Sequence, residues 1–371
     1  MTRYLRLSLF IVIFSLLGIF FGFQSVSAAA VSCPATDGGA GDDDATADGT
    51  ITISSSTSWN TTGYAALGDY WDCTGVDILV TSTSTLTFDG DQVNGWYPYL
   101  KTDNLQIDSG SSISGDGQGC TSTNNNTGYG PSGSNVCTLA TAGAGIGAST
   151  STTGAGGSGH GGNGGAGTTK AAGSHYDTVT GPLLFGTSGG SGNAGVGGAG
   201  GGVVRIDVTT TLTNNGIIES DGAVGGTNST NRAGGGGSGG SIFISTGTLA
   251  GSTGTFSAIG GAGGDNSSAD GGGGGGGIIS LLYTTDSFNG GGGMAANDFL
   301  VSGGSGPGSA ADGTDGSAYT LGSATSDVVY YYQLYVDATN VTSSGGLRFD
   351  TSVIACESGT ADVTLTATDE F

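Results

Sequence analysis

Positive charge is what this sequence has least of. Seven of 371 residues are Lys or Arg, against 30 Asp or Glu, and two are His. Arg3 and Arg6 precede the first acidic residue, so a chain without its N-terminal stretch holds five bases against 30 acids, a formal charge of −25. Those five are Lys101, Lys170, Arg205, Arg232 and Arg348. Such a surface repels nucleic acid and anionic membranes, because phosphate binding relies on Lys and Arg clusters. The acidic surplus serves solubility, with divalent cations as the other use.

Other signatures are also missing. His160 and His175 lack metal-ligand spacing, and no Gly-Lys-Ser or Gly-Lys-Thr follows the glycine runs, which excludes a phosphate loop. Asp42, Asp43, Asp44 and Asp48 lack the spacing of an EF-hand, so residues 30–49 read as a flexible acidic leader. Asp312 and Asp315, in Asp-Gly-Thr-Asp-Gly, are a candidate Ca2+ turn without tandem copies. Asp207, Glu219 and Asp221 are the best carboxylate group, yet the next repeat offers Ser245, Ser257 and Ile259 opposite them. Solvent-facing strand charge is the expected reading, with no catalytic residue and no cofactor.

The N-terminus carries Arg3 and Arg6, an apolar run from Leu7 to Phe23, then Ser25-Val26-Ser27-Ala28-Ala29-Ala30. This is the pattern of an export signal over residues 1–29, cut near Ala28 to Ala30, which leaves no membrane span and predicts a secreted or cell-surface protein. Five cysteines then point to disulfides, Cys33 with Cys73 and Cys120 with Cys137 as local pairs, leaving Cys356 over. That leftover thiol and the open ending Thr366–Phe371 lead us to expect a natural chain longer than the one given.

Glycine supplies 80 residues, about 22 per cent against a usual 7 per cent or so. Order comes from a repeat. Gly201-Gly202-Val203-Val204-Arg205-Ile206, Gly239-Gly240-Ser241-Ile242-Phe243-Ile244 and Gly276-Gly277-Ile278-Ile279-Ser280-Leu281 share one form, with a weaker copy at Gly316–Leu321. Val204 to Ile242 is 38 residues and Ile242 to Ile279 is 37. A second block, Ile217-Ile218-Glu219 and Thr255-Phe256-Ser257, follows at matching offset, and Ser111–Gly117 has the same shape.

A fixed period with alternating polarity means stacked strand units sharing a core. The expected fold is all-β, a parallel β-helix with long glycine-rich excursions. Each coil would use the glycine-led strand, a short strand near Leu212 or Leu249, and the strand of Ile218 or Phe256. Val204, Ile242, Ile279 and Tyr319 would form the inward ladder. Residues 50–140 would hold the first coils and an aromatic cap, 141–200 a glycine-rich insertion, 201–322 the regular coils, and 323–371 further strands. The glycine tracts fit either mobile loops or extended polyproline-II-like strands packed side by side, the second being preferred.

Trp59, Trp71, Trp96, Tyr97 and Tyr99 cluster near one end, either as a cap or as a contact surface able to stack on sugars or protein. Sequons occur at Asn60, Asn125, Asn228, Asn266 and Asn340.

The succession Gly-Gly-x-Val/Ile-x-Ile/Leu, Gly-x-Ile/Phe, glycine loop, then Gly275–Tyr283 and Gly316–Leu321 resembles glycine-rich, adhesin-like microbial surface proteins. Ile278 stands where that group often has arginine, so no role of that residue carries over. The resemblance implies an exported structural or adhesive module, non-catalytic, whose partner is a surface or matrix polymer or another copy of itself. Two other readings stay open: a polysaccharide-acting hydrolase or lyase, and an ice- or mineral-binding surface suggested by Thr209-Thr210-Thr211.

Overall fold

The computed structural model describes residues 28–35, 49–122, 127–139, 141, 143–145, 154–192, 195–227, 233–266 and 269–322. The expected export signal up to Ser27, the Asp42–Asp48 run, the strands expected over 323–371, Cys356, and the sequons at Asn125, Asn228 and Asn340 lie outside the described residues. No helix among those described is long and apolar enough to cross a membrane.

The first strands are β1 (Ala30–Ser32), β2 (Thr50–Ile53), β3 (Thr57–Asn60), β4 (Tyr70–Val80), β5 (Thr85–Asp89), β6 (Tyr99–Ile107), β7 (Ser112–Ser114), β8 (Tyr129–Pro131) and β9 (Cys137–Leu139). After a glycine-rich stretch come β10 (Val203–Asn214), β11 (Ile217–Glu219), β12 (Ser241–Gly251) and β13 (Thr255–Ser257). The last three are β14 (Ile278–Phe288), β15 (Phe299–Leu300) and β16 (Ser317–Gly322). They form an eight-stranded parallel sheet in the order β1-β4-β6-β10-β12-β14-β16, with β2 also on β4. A six-stranded parallel sheet follows the order β15-β13-β11-β7-β5-β3, and β8-β9 is a small antiparallel ribbon.

Alternation dictates what fills the space between the two large sheets. The larger contributes the registered rows Trp71-Leu100-Ile206-Ile244-Leu281 and Ile78-Leu105-Leu212-Leu249, all at most 1 % exposed. The smaller contributes Leu86-Ile113-Ile218-Phe256, each fully buried. All belong to one apolar cluster, and burying each such side chain is worth about 1.5–3 kcal/mol. Val204, Ile242 and Ile279 do pair in register, but Ala318 completes that row, and Tyr319 sits beside Ser280 instead.

The parallel β-helix does not form. Its coil needed a separate short strand near Leu212 or Leu249, but those residues are the far halves of the single long strands β10 and β12, which run on past a register shift between Val208 and Thr211. Nor do the glycine tracts stand outside a solenoid. They are a buried body of their own, and the 37–38-residue period records one strand of each sheet plus the glycine segments between them.

That body is built from backbone alone. Along residues 233–240 successive N–H groups turn to three neighbours in rotation. Ala233, Gly236 and Gly239 donate to the carbonyls of Ala269, Gly272 and Gly275; Gly234, Gly237 and Gly240 to Gly226, Ala223 and Ser220; Gly235 and Ser238 to Gly190 and Thr187, all at 2.7–3.2 Å. The carbonyls in turn accept from Ala155 and Ser158, from Gly261 and Gly264, and from Gly198 and Gly201. Three residues per turn is the polyproline-II repeat, and six flanking segments surround this one.

Glycine is required by the closeness of the packing. A Cβ on Gly236 would lie 1.9 Å from the carbonyl oxygen of Gly261. The side-by-side extended packing preferred from the sequence is what forms; its partners could not be read there, because alternation registers side chains and here there are almost none.

Candidate functional site

The two expected disulfides form, Cys33–Cys73 and Cys120–Cys137. The first ties the segment after β1 to β4, and the second braces the β8-β9 ribbon, where the Cys137 amide also donates to the Gln92 carbonyl at 3.0 Å.

The aromatic residues divide. Trp59 and Trp71 are 3 % and 1 % exposed and meet edge-on with centroids 5.6 Å apart, Trp71 then meeting Phe88 at 5.3 Å. Tyr97 and Tyr99 are buried with Phe185 and Val203. These four are core, which corrects their reading as a contact surface: strand alternation points them inward or under the 183–185 segment. Trp96 alone of the five is only partly buried; it packs against the main core and walls a cleft of about 420 Å3 with Asn60, Thr62, Asp89, Asp91 and Gln92. Burial, then the charge of Asp91, raises the Asp89 carboxyl. Asp91 is held low in spite of burial, because Asn94 and Val93 donate to it.

The carboxylate group Asp207, Glu219 and Asp221 is not brought together. Asp207 lies on the outer face of the larger sheet, accepting the Tyr99 hydroxyl, while the Arg205 guanidinium stacks 3.8 Å from the Tyr99 ring and its Nη1 reaches the Tyr97 hydroxyl at 3.3 Å. Glu219 and Asp221 instead meet Asp116, with one oxygen from each of the three within 4.8 Å of the others.

Asp116 comes from the strand row on the other side, since β7 pairs with β11 in the register Ile113↔Ile218. The likeness of Ser111–Gly117 to the Ile218 block carries that signal, on the preceding side of β11 and not on the side of the following repeat. The Asp221 amide donates to Asp116 Oδ1 at 2.6 Å, and Asp221 Oδ1 accepts from Ser257 Oγ and the Ile259 amide at 2.7 and 2.8 Å.

Burial first, then the charges of Asp116 and Asp221, pushes the Glu219 carboxyl up to about 7. Burial, with the Asp116 charge behind it, pushes Asp221 up to about 6. Such a trio has the donor chemistry of a divalent-cation site. Asp312 and Asp315 do not join it. Each caps local backbone, accepting from the amides of Gly306 at 2.7 Å and Gly303 at 3.1 Å respectively.

One constellation has no sequence signal at all. His160 is fully buried, its Nδ1 2.8 Å from the Gly239 carbonyl and its Nε2 3.3 Å from Asp177 Oδ2. Ser241 Oγ stands 3.4 Å from the same Nε2 and donates to the Leu184 carbonyl at 2.8 Å. Tyr176 lies over the imidazole at 4.7 Å. A nucleophile triad puts the acid and the hydroxyl on opposite ring nitrogens; here both crowd one. The Gly239 carbonyl can only accept, so Nδ1 is the donor of that bond; burial raises the Asp177 carboxyl, but His160 and the Thr178 and Leu184 amides together hold it below the usual aspartate value. The pair is a buried staple between the glycine body and β12.

No family model matches the chain, and no curated protein and no solved structure is significantly similar to it. The likeness to adhesin-like surface proteins therefore rests on the sequence pattern.

Proposed function

We propose that the chain is a structural and adhesive module of an exported protein, with the Trp96 cleft as its point of contact. The observation that carries this reading is the glycine body. Segments of three residues per turn, each bonded to several neighbours through the backbone, make a stiff block with almost no side chains to react. Two disulfides belong to the same oxidising setting.

The cleft has the chemistry of sugar recognition. An aromatic face attracts the weakly positive C–H face of a pyranose, while Asp89, Asp91 and Asn60 accept and donate to its hydroxyls. The partner is thus a polysaccharide of a surface or matrix. Retention of the full chain on immobilised cellulose, chitin and peptidoglycan tests this, with Trp96→Ala expected to weaken binding about tenfold, the loss of one ~1.4 kcal/mol contact. Release of new reducing ends from those polymers would replace adhesion with a hydrolase or lyase reading.

An ice- or mineral-binding surface is favoured by one observation. Asn104, Thr211, Thr248 and Thr285 stand in register on four adjacent strands of the larger sheet, spaced at about 4.8 Å. Thermal hysteresis in a solution of the full chain, abolished by Thr248→Lys, is the expected outcome of that reading.

A further inference from the structure

The start of the folded chain holds a buried carboxylate with no basic side chain beside it. Asp69 is 1 % exposed. Its Oδ2 accepts from the amides of Ala65 and Ala66 at 2.7 and 2.9 Å, and its Oδ1 accepts from the amide of Ala29 at 2.7 Å. The one side-chain ion pair among the described residues is His160 with Asp177, so no Lys, Arg or His neutralises Asp69. Burial disfavours the charged form, but the three amides together hold the carboxyl below the usual aspartate value, so Asp69 stays ionised and, among the described residues, has hydrogen-bond donors but no cation opposite it.

Ala29 is the first of the described residues whose backbone bonds to the rest of the fold. Its carbonyl accepts from the Tyr70 amide at 3.1 Å, and β1 begins directly after it, with Ala30 paired to Tyr70. Ala28 is exposed. The export pattern allows cleavage after Ala28, Ala29 or Ala30. Cutting after Ala29 removes the carbonyl bonded to Tyr70 and the donor to Asp69. Cutting after Ala30 also removes the first residue of β1.

We infer that the leader is removed between Ala28 and Ala29, and that the new Ala29 α-ammonium is the counter-ion of Asp69. In the cleavage a signal peptidase adds water across the Ala28–Ala29 peptide bond. Ala28 leaves as a carboxylate and Ala29 keeps the amine, protonated at neutral pH. The neutral amide donor at 2.7 Å becomes a charged one, and charge-assisted hydrogen bonds are roughly twice as strong. Processing thereby completes the fold. The inference rests on export, and not on adhesion or on the Trp96 cleft.

Two measurements test it. The full gene is expressed in a host with a working export pathway, and the intact mass of the secreted protein is read. A chain beginning at Ala29 is expected; one beginning at Ala30 or Val31, or one retaining its leader, overturns the assignment. The Ala29-start chain is then compared with the same chain after N-terminal acetylation, which removes the charge and leaves Asp69 in place. The free amine is expected to unfold at least ~2 °C higher at pH 7, a gap that closes at pH 10, above the α-amino range of about 7.7–8.0. Equal midpoints at pH 7 sink the counter-ion role, and Asp69→Asn, in which the gap should vanish, separates this pair from any general effect of acetylation. Loss of polysaccharide binding with these results intact would fail the adhesive reading alone.

Discussion

At the scale of single residues, environment decides what each charge does. Asp116, Glu219 and Asp221 crowd one spot with no base among them. Folding therefore raises Glu219 from 4.5 to about 7 and Asp221 from 3.8 to about 6. With the folded values above the unfolded ones, the folded chain binds more protons, and stability falls as pH rises through that window. It is fully present below the unfolded values and lost above about pH 7. Glu219→Gln removes one charge and keeps the shape. Calorimetric scans from pH 4.5 to pH 8 are expected to show a flatter fall and a higher midpoint at pH 8 for the variant. Parallel curves for the two proteins would mean that the three carboxylates are screened from one another.

At the scale of elements, two kinds of strand divide the work, and they differ in how legible they are. The sheet strands announce themselves by alternation. Val204, Ile242 and Ile279 could be placed in one row from spacing alone, as could Ile218 beside Phe256, because an inward side chain every second residue leaves a trace. The trace failed at the edge, where Ala318 and not Tyr319 completes the row. The second kind leaves a fainter one, enough to prefer extended segments packed side by side but not to pair them. Residues 233–240 alternate nothing; their order lies in which carbonyl each amide meets, and a sequence of glycines cannot say.

Close packing of that kind makes a sharp prediction. A methyl group on Gly236 has no room beside the Gly261 oxygen, whereas nothing lies within 4 Å of where one would sit on Gly181. Overpacking costs typically 1–3 kcal/mol and occasionally more. Gly236→Ala is therefore expected to destabilise by about 3 kcal/mol in denaturant titrations, and Gly181→Ala to leave the midpoint within about 0.5 kcal/mol of the parent. Equal costs at the two positions would show that the glycine segments do not touch as closely as described.

At the scale of the whole molecule, the sheets and the glycine body are one object. Gly202 donates to Gly115, Gly240 to Ser220 and Gly277 to Ala258, so the segments join the ends of strands from both sheets, and the His160–Asp177 pair fixes the body to β12 beside Ser241. Of the candidate site, two of the three clustered acids were legible. Asp116 could be reached through the likeness of Ser111–Gly117 to the Ile218 block, whereas the His160 pair depends on a fold-back that only packing sets.

If body and sheets unfold together, their amides should open together. Exchange of backbone hydrogens in residues 233–240 is then expected to be as slow as in β10 and β12, and far slower than in an ordinary glycine-rich loop, whose protection is close to nil. Peptide-resolved exchange of the full chain measures this directly. Exchange of 233–240 within seconds, with the strands still protected, would reduce the glycine segments to loops and remove the stiffness on which the structural role depends. Protection equal to that of the strands would leave the Trp96 cleft mounted on a single rigid block, as adhesion against a pulling surface requires.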